Sequence, residues 1–194
     1  SGAAASPVFV DLAERLNAEL PPGIGIALCR EAPAAFHPQW KAQTKEYRYR
    51  LLTAEDARWA PFAWRVEVDV AALGRLLGRA LCTHDFWAFH EKSSGRRPRT
   101  IHRLEVVEPG PGRLEVRVAG DGFARYMVRY LVGSAVKAAR GEIAEEAFVA
   151  GVEAAVEFAG FKAPAHGLVL WEVGYPAAFE VFSAEDRRAA PGVP

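Results

Sequence analysis

The sequence predicts an α+β fold, a mostly antiparallel sheet with helices packed on one face. Three observations carry it. The stretch "TKEYRYRLLT" alternates, with Tyr47, Tyr49 and Leu51 on one side and Glu46, Arg48 and Arg50 on the other, the pattern of a half-buried strand. "IHRLEVVEPGPGRLEVRVAG" reads as two alternating strands joined by "EPGPG", an antiparallel hairpin. Helical stripes stand between and after these strands. Strands that alternate, rather than running continuously apolar, belong to a sheet covered on one side. With 194 residues, 51% of them hydrophobic, the chain can bury a real core as one domain or two small ones.

The elements follow in order. "DLAERLNAEL" spaces Leu12, Leu16 and Leu20 at helical intervals, with Asp11 as the expected N-cap. "LPPGIGIALCREA" reads as a turn and a short buried strand. The Tyr47 strand and a short strand, "WRVEVDV", come next. Asp69 is placed to cap "VAALGRLLGRALC", whose Leu73, Leu76, Leu77 and Leu81 form one stripe. "THDFWAFHEKSSGRRPRT" is aromatic first and basic afterwards, with a Ser-Ser-Gly loop at its centre. After the hairpin, "GDGFARYMVRYLVGSAV" reads as a helix with Phe123, Tyr126, Met127, Tyr130 and Leu131 on its buried stripe. A second helix lies within "EIAEEAFVAGVEAAVEFAG", and "LVLWEVGYP" is the last strand. The tail "SAEDRRAAPGVP" reads as loosely ordered.

Composition narrows the function classes. Formal net charge is zero, so global charge does not announce a nucleic-acid binder. The charge is nevertheless clustered: "SSGRRPRTIHR" holds Arg96, Arg97, Arg99 and Arg103 with no carboxylate among them. Two cysteines in apolar contexts, Cys29 and Cys82, read as buried thiols of a reducing compartment. The histidines show no zinc-ligand spacing with companion cysteines, so no metal is expected. The start "SGAAASPVF" lacks the basic and apolar segments of a signal peptide. No phosphate-binding glycine loop, G-x-S-x-G elbow or H-E-x-x-H occurs.

Arginines in the "GDGFARYMVRYLVGSAV" helix raise the sharper question. Asp121 stands four residues before Arg125, so the two are expected to pair on the helix surface. Arg129 emerges among Val128, Val132 and Val136 and needs a carboxylate or phosphate. Its readings are a snorkelling or salt-bridged arginine, or one aimed at an anion. Tyr47 and Tyr49 are either core aromatics or a stacking platform for a base. The basic loop is either solvated or grips phosphates. In "HDFWAFHEK", Asp85 and His84 are expected to fix a turn while Phe86, Trp87 and Phe89 pack.

Taken together and in order, "LNAELPPGI", "FHPQWKAQTKEYRYRL", "HDFWAF", "RTI", "GDGFARYMVRYLVGSAV" and "APAHGLVLWEVGYP" resemble the tRNA pseudouridine synthase A family. The resemblance runs from about Val8 to Pro176. It implies a two-half pseudouridine synthase fold that isomerises uridine to pseudouridine in the anticodon stem-loop of tRNA. The base is flipped out, the glycosidic bond broken, the ring turned, and a carbon–carbon bond made to the same sugar. It implies no cofactor, a cytoplasmic protein and a homodimer. By motif match, Tyr47 is the active-site tyrosine that stacks on the base and Arg129 the arginine that pairs with the catalytic aspartate. Gly167 and Leu168 match the apolar wall, and Arg96, Arg97 and Arg99 are placed to grip phosphates.

The family's catalytic aspartate sits in an Arg-Thr-Asp-Ala-Gly-Val-His-Ala motif, upstream of the segment matched by "LNAELP". This sequence does not contain that motif, and none of its six aspartates stands in such a context. The expected organisation is therefore a remnant of the N-terminal half over residues 1–52, a C-terminal half over 53–176 and a tail over 177–194. The readings of the missing motif are a truncated enzyme, favoured because Tyr47 and Arg129 are kept, or a catalytically dead RNA-binding module. A separate polypeptide supplying the front, or a plain α+β domain, are the others.

Overall fold

A computed structural model describes residues 7–92 and 95–189. The start of the chain, the Ser93–Ser94 centre of the basic loop and the last residues of the tail lie outside the described residues. The chain divides into two compact units, residues 1–42 with 174–194, and residues 43–173. No helix of the described residues is long and apolar enough to cross a membrane.

In the smaller unit, helix α1 spans Pro7–Glu19. It begins before Asp11, which is therefore inside the helix and faces Arg15 at 3.8 Å instead of capping. The strand expected around Ile26 is not formed. Asn17 of α1 brackets Ile26 with its amide, donating to the carbonyl at 2.8 Å and accepting from the N–H at 2.7 Å. A side chain thus takes the two backbone groups that a neighbouring strand would have taken. Phe36 packs on Tyr175 and Phe179, and Arg30 bonds Asp186 at 2.7 Å. Helix α5, Ala184–Ala189, lies within the expected tail.

The larger unit is built on strand β1, Thr44–Leu52. β2 is Trp64–Arg65, α2 is Val70–Gly78 and β3 is Thr83–His84. The hairpin strands β4 and β5 are Arg99–Gly110 and Arg113–Gly120, followed by helices α3, Met127–Ala139, and α4, Glu145–Ala154. Strand β6 is Leu168–Gly174. The sheet runs β2-β1-β5-β4-β3, with β6 also pairing β1. The β1–β5, β4–β5 and β3–β4 pairs are antiparallel, but β1 and β2 are parallel, so the sheet is mixed. Only Trp64 and Arg65 of the expected "WRVEVDV" strand pair.

Register explains the two faces. Tyr47, Tyr49 and Leu51 stand opposite Val118, Val116 and Leu114, and Leu104 and Val106 continue the rows. This apolar face receives the helices, α3 against β1 and α2 against β4. Leu73, Leu76 and Leu77 of α2 join Met127, Leu131, Val132 and Val136 of α3 in the core. Asp69 caps α2 as expected, accepting from the N–H groups of Ala71 and Ala72. The helix stops at Gly78, so Leu81 leaves the stripe and is 50% exposed. α4 ends early as well, where Ala155 turns left-handed at φ 51°.

The opposite face of β1 is not the solvated one that alternation suggests. Glu46 and Arg50 are only 6% and 3% exposed. Arg48 and Arg117 are direct cross-strand partners, an arrangement of like charges that alone would repel. Glu115 lies between them, 3.5 Å from Arg48 and 3.1 Å from Arg117, with Arg50 at 3.6 Å. Glu46 binds Arg48 and Arg103. Trp171 lies over the Arg48 guanidinium at 3.5 Å, and Trp59 covers Arg50 and Arg113. The charged face is thus an ion ladder roofed by indoles, in which each charge keeps a partner as water is withdrawn.

Behind the other layer, Gly133 of α3 lets the chain at 161–163 cross the helix. A Cβ at that position would sit 2.3 Å from the Phe161 carbonyl oxygen and 2.7 Å from the Ala163 nitrogen. Replacement of Gly133 by alanine is therefore expected to destabilise the protein by about 1–3 kcal/mol, the usual range for overpacking. Urea denaturation reads this as a lowered midpoint.

Candidate active site

α3 starts at Met127, later than the sequence pattern suggests, and Tyr126 before it has a left-handed backbone, φ 63°. Residues without a glycine's freedom hold this conformation only where the surroundings enforce it. Two expectations change as a result. Asp121 and Arg125 precede the helix and do not pair; Asp121 accepts the N–H of Thr100 at 3.0 Å. Arg125 donates to the Tyr126 hydroxyl at 2.9 Å and faces Glu91 at 3.9 Å. Phe123 is likewise off the helix, and its ring meets Tyr47 edge-on at 5.2 Å.

Arg129 lies one half-turn inside α3. Its backbone carbonyl accepts the N–H of Ala163 at 3.1 Å, and its Nε donates back to the Ala163 carbonyl at 2.7 Å. The guanidinium lies 5.2 Å from the centre of the Tyr126 ring. It forms no ion pair with a carboxylate among the described residues. All six aspartates are engaged elsewhere. Asp11 faces Arg15, Asp56 binds Arg113, Asp69 caps α2, Asp85 binds Arg96, Asp121 holds Thr100 and Asp186 binds Arg30.

The segment after Ala163 carries the wall. Pro164 accepts a 2.7 Å hydrogen bond from the Tyr49 hydroxyl. Gly167 then passes over β1 so closely that a Cβ would lie 2.9 Å from both the Arg50 carbonyl oxygen and the Tyr49 ring. Leu168 packs at the margin of the core as β6 begins. Burial pushes the Tyr49 phenol well above its usual range, and the Arg129 charge pulls the other way. Tyr47, two residues along the same face, is half-buried, and burial raises its phenol too. The structure thus brings Arg129 and Gly167 to Tyr49, a fully buried ring, so of the two sequence readings for Tyr49 the core aromatic holds. Both phenols are neutral at ordinary pH; Tyr49 is fully buried with its hydroxyl on Pro164, and Tyr47 is the half-buried one of the two.

The basic residues divide. Arg96 and Arg97 are exposed, although Arg96 holds Asp85 at 2.6 Å and lies over Trp87 at 5.4 Å. Arg99 is 2% exposed at the start of β4 and donates to the Arg97 carbonyl at 3.2 Å. A buried guanidinium orders the loop from beneath and is not placed on its surface. Phe86 and Phe89 are fully buried and Trp87 bonds Glu157, while His84 pairs as β3. Cys29 and Cys82 are free and half-buried.

A sequence model of the tRNA pseudouridine synthase family matches residues 79–176. The chain is 38% identical over 172 residues to tRNA pseudouridine synthase A of Geobacillus kaustophilus, covering 82% of this chain and 64% of that protein. It is 36% identical to the protein of that name from Anoxybacillus flavithermus, over 82% of this chain and 67% of the relative. An Exiguobacterium protein of that name is 34% identical, with the same two shares. The chain belongs to the tRNA pseudouridine synthase family, an isomerase family, and spans about two-thirds of these relatives' length.

His90, next to this site's basic loop, is 5% exposed, and neither ring nitrogen has a hydrogen-bond partner. Burial lowers its pKa; Arg99 and Lys92 lower it further, and Asp85 acts against them. The folded state therefore takes up this proton later than the unfolded state on acidification, so stability is lost as pH falls below about 6.5. Urea midpoints measured from pH 7 to 5 are expected to decline, and His90→Phe to flatten that decline.

Proposed function

We propose that this chain carries the Tyr47 and Arg129 side of a tRNA pseudouridine synthase active site, which isomerises uridine in the anticodon stem-loop. The observation that carries the reading is Arg129: half-buried, held by Ala163, and without a carboxylate partner among the described residues, while all six aspartates are bound elsewhere. Its open guanidinium fits the partner of an aspartate from the family's Arg-Thr-Asp motif, which this sequence does not contain. A carboxylate held there is fixed in place and kept ionised, as a nucleophile requires.

Tyr47 then stacks on the flipped base, and Gly167 and Leu168 close its apolar side. Arg96 and Arg97 contact phosphates of the RNA, with Arg99 ordering their loop from below. The reaction needs no cofactor in this scheme, since the bond cleavage and re-formation take place within one nucleotide. The working form is a cytoplasmic homodimer.

Without the motif aspartate the chain alone is expected to bind tRNA and not to turn it over. The test uses tRNA tritiated at uridine C5, from which pseudouridine formation releases the label. No release is expected from this chain, and release is expected once an upstream segment bearing the family motif is fused to it. Release by the chain alone contradicts the role given to Arg129. Binding without release, even in the fused protein, supports the second reading, an RNA-binding module without catalysis.

A further inference from the structure

Three cations converge on one tyrosine ring beside Arg129. The Lys162 ammonium is 4.4 Å, the Arg125 guanidinium 4.8 Å and the Arg129 guanidinium 5.2 Å from the centre of Tyr126. Lys162 also lies 5.8 Å from the Tyr130 ring. Three like charges in this space repel one another, and the electron-rich faces of the ring offset part of that repulsion. Glu91 is the carboxylate paired with the group among the described residues, 2.7 Å from Lys162 and 3.9 Å from Arg125. The cluster therefore keeps an excess of two positive charges. Arg125 is 61% exposed and Lys162 34% exposed, so both cations reach solvent.

The backbone is arranged to hold this group. Tyr126 is kept in a left-handed conformation that a tyrosine rarely adopts, with Arg125 bonded to its hydroxyl. Lys162 arrives from a segment far along the chain because Gly133 lets residues 161–163 cross α3, and the Arg129–Ala163 bonds lock that crossing. Cations already occupy the surroundings of the Tyr126 ring, which argues against base stacking there.

We propose that Arg125 and Lys162, organised by Tyr126, form a subsite for an RNA phosphodiester adjacent to the nucleotide that Arg129 serves. This rests on the tRNA reading above and deepens it. Glu91 tempers the site, neutralising one charge until the phosphate takes its place. Two cations that reach solvent a short distance from Arg129 fix the strand on one side of the target, where a shift of the backbone would displace the base.

The test is the binding of an unmodified tRNA transcript to this chain, measured by fluorescence anisotropy over a range of salt concentrations, with circular dichroism and urea midpoints as folding controls. The double variant R125A/K162A is expected to bind about tenfold more weakly, with a salt slope reduced by about 1 to 2. E91Q is expected to bind a few-fold more tightly, a change that a purely structural role for the cluster would not produce. Tyr126→Phe keeps the ring and is expected to stay within about twofold. If tRNA binds and neither R125A/K162A nor E91Q changes affinity or slope, the subsite is wrong while the tRNA reading stands. If the unaltered chain binds no tRNA at low salt, that reading fails and the subsite fails with it.

Discussion

The arrangement depends on the crossing of residues 161–168 over both layers of the larger unit. The segment lies against α3 at Gly133 and against β1 at Gly167, two places where a Cβ would collide with the neighbouring chain. It is pinned by paired hydrogen bonds with Arg129, by the Tyr49 hydroxyl on Pro164, and by the buried Ser134 hydroxyl, which accepts the Phe161 N–H at 3.0 Å. These bonds satisfy backbone groups that a close crossing would otherwise strand away from water. They also spend the Nε of Arg129 on structure, so in the proposed site one side chain would both fasten the segment through Nε and offer its terminal nitrogens to a carboxylate.

β1 is held from its other side by a different kind of interaction. Its apolar face is fixed by helix packing, and its charged face by a ladder in which Glu46 and Glu115 separate Arg48, Arg50, Arg103 and Arg117. A strand clamped on both faces cannot slip by one residue without placing an arginine in the core. That fixes Tyr47 and Tyr49 relative to α3, which is what the proposed stacking role of Tyr47 beside Arg129 requires.

Much of this was legible in the sequence. Alternation assigned the apolar face of β1 and the hairpin, and an aspartate before a helical stripe assigned the Asp69 cap, because those signals are local. Ion pairing across strands is not local, so the burial of Glu46 and Arg50 could not be read from their spacing. The start of α3 was misplaced because Phe123 and Tyr126 continue the helical stripe, while the left-handed turn at Tyr126 leaves no mark in residue type. Arg129 stood out by its apolar neighbours, and among the described residues no carboxylate pairs with it. Tyr49 and Lys162 were missed as its neighbours, since only the crossing at Gly133 and Gly167 brings their surroundings together. Resemblance supplied the roles proposed for Tyr47, Gly167 and Leu168, which no periodicity contains.

Arg129 is anchored through its Nε, and its terminal nitrogens make no ion pair among the described residues. Nitrogen-15 spectra of the arginine side chains, with the Arg129 signal assigned by its loss in Arg129→Lys, test this arrangement directly. The Nε proton is expected to exchange slowly with solvent and the terminal protons to exchange fast. Slow exchange at the terminal nitrogens would reveal a permanent partner there and contradict this arrangement, as would an Nε proton in rapid exchange.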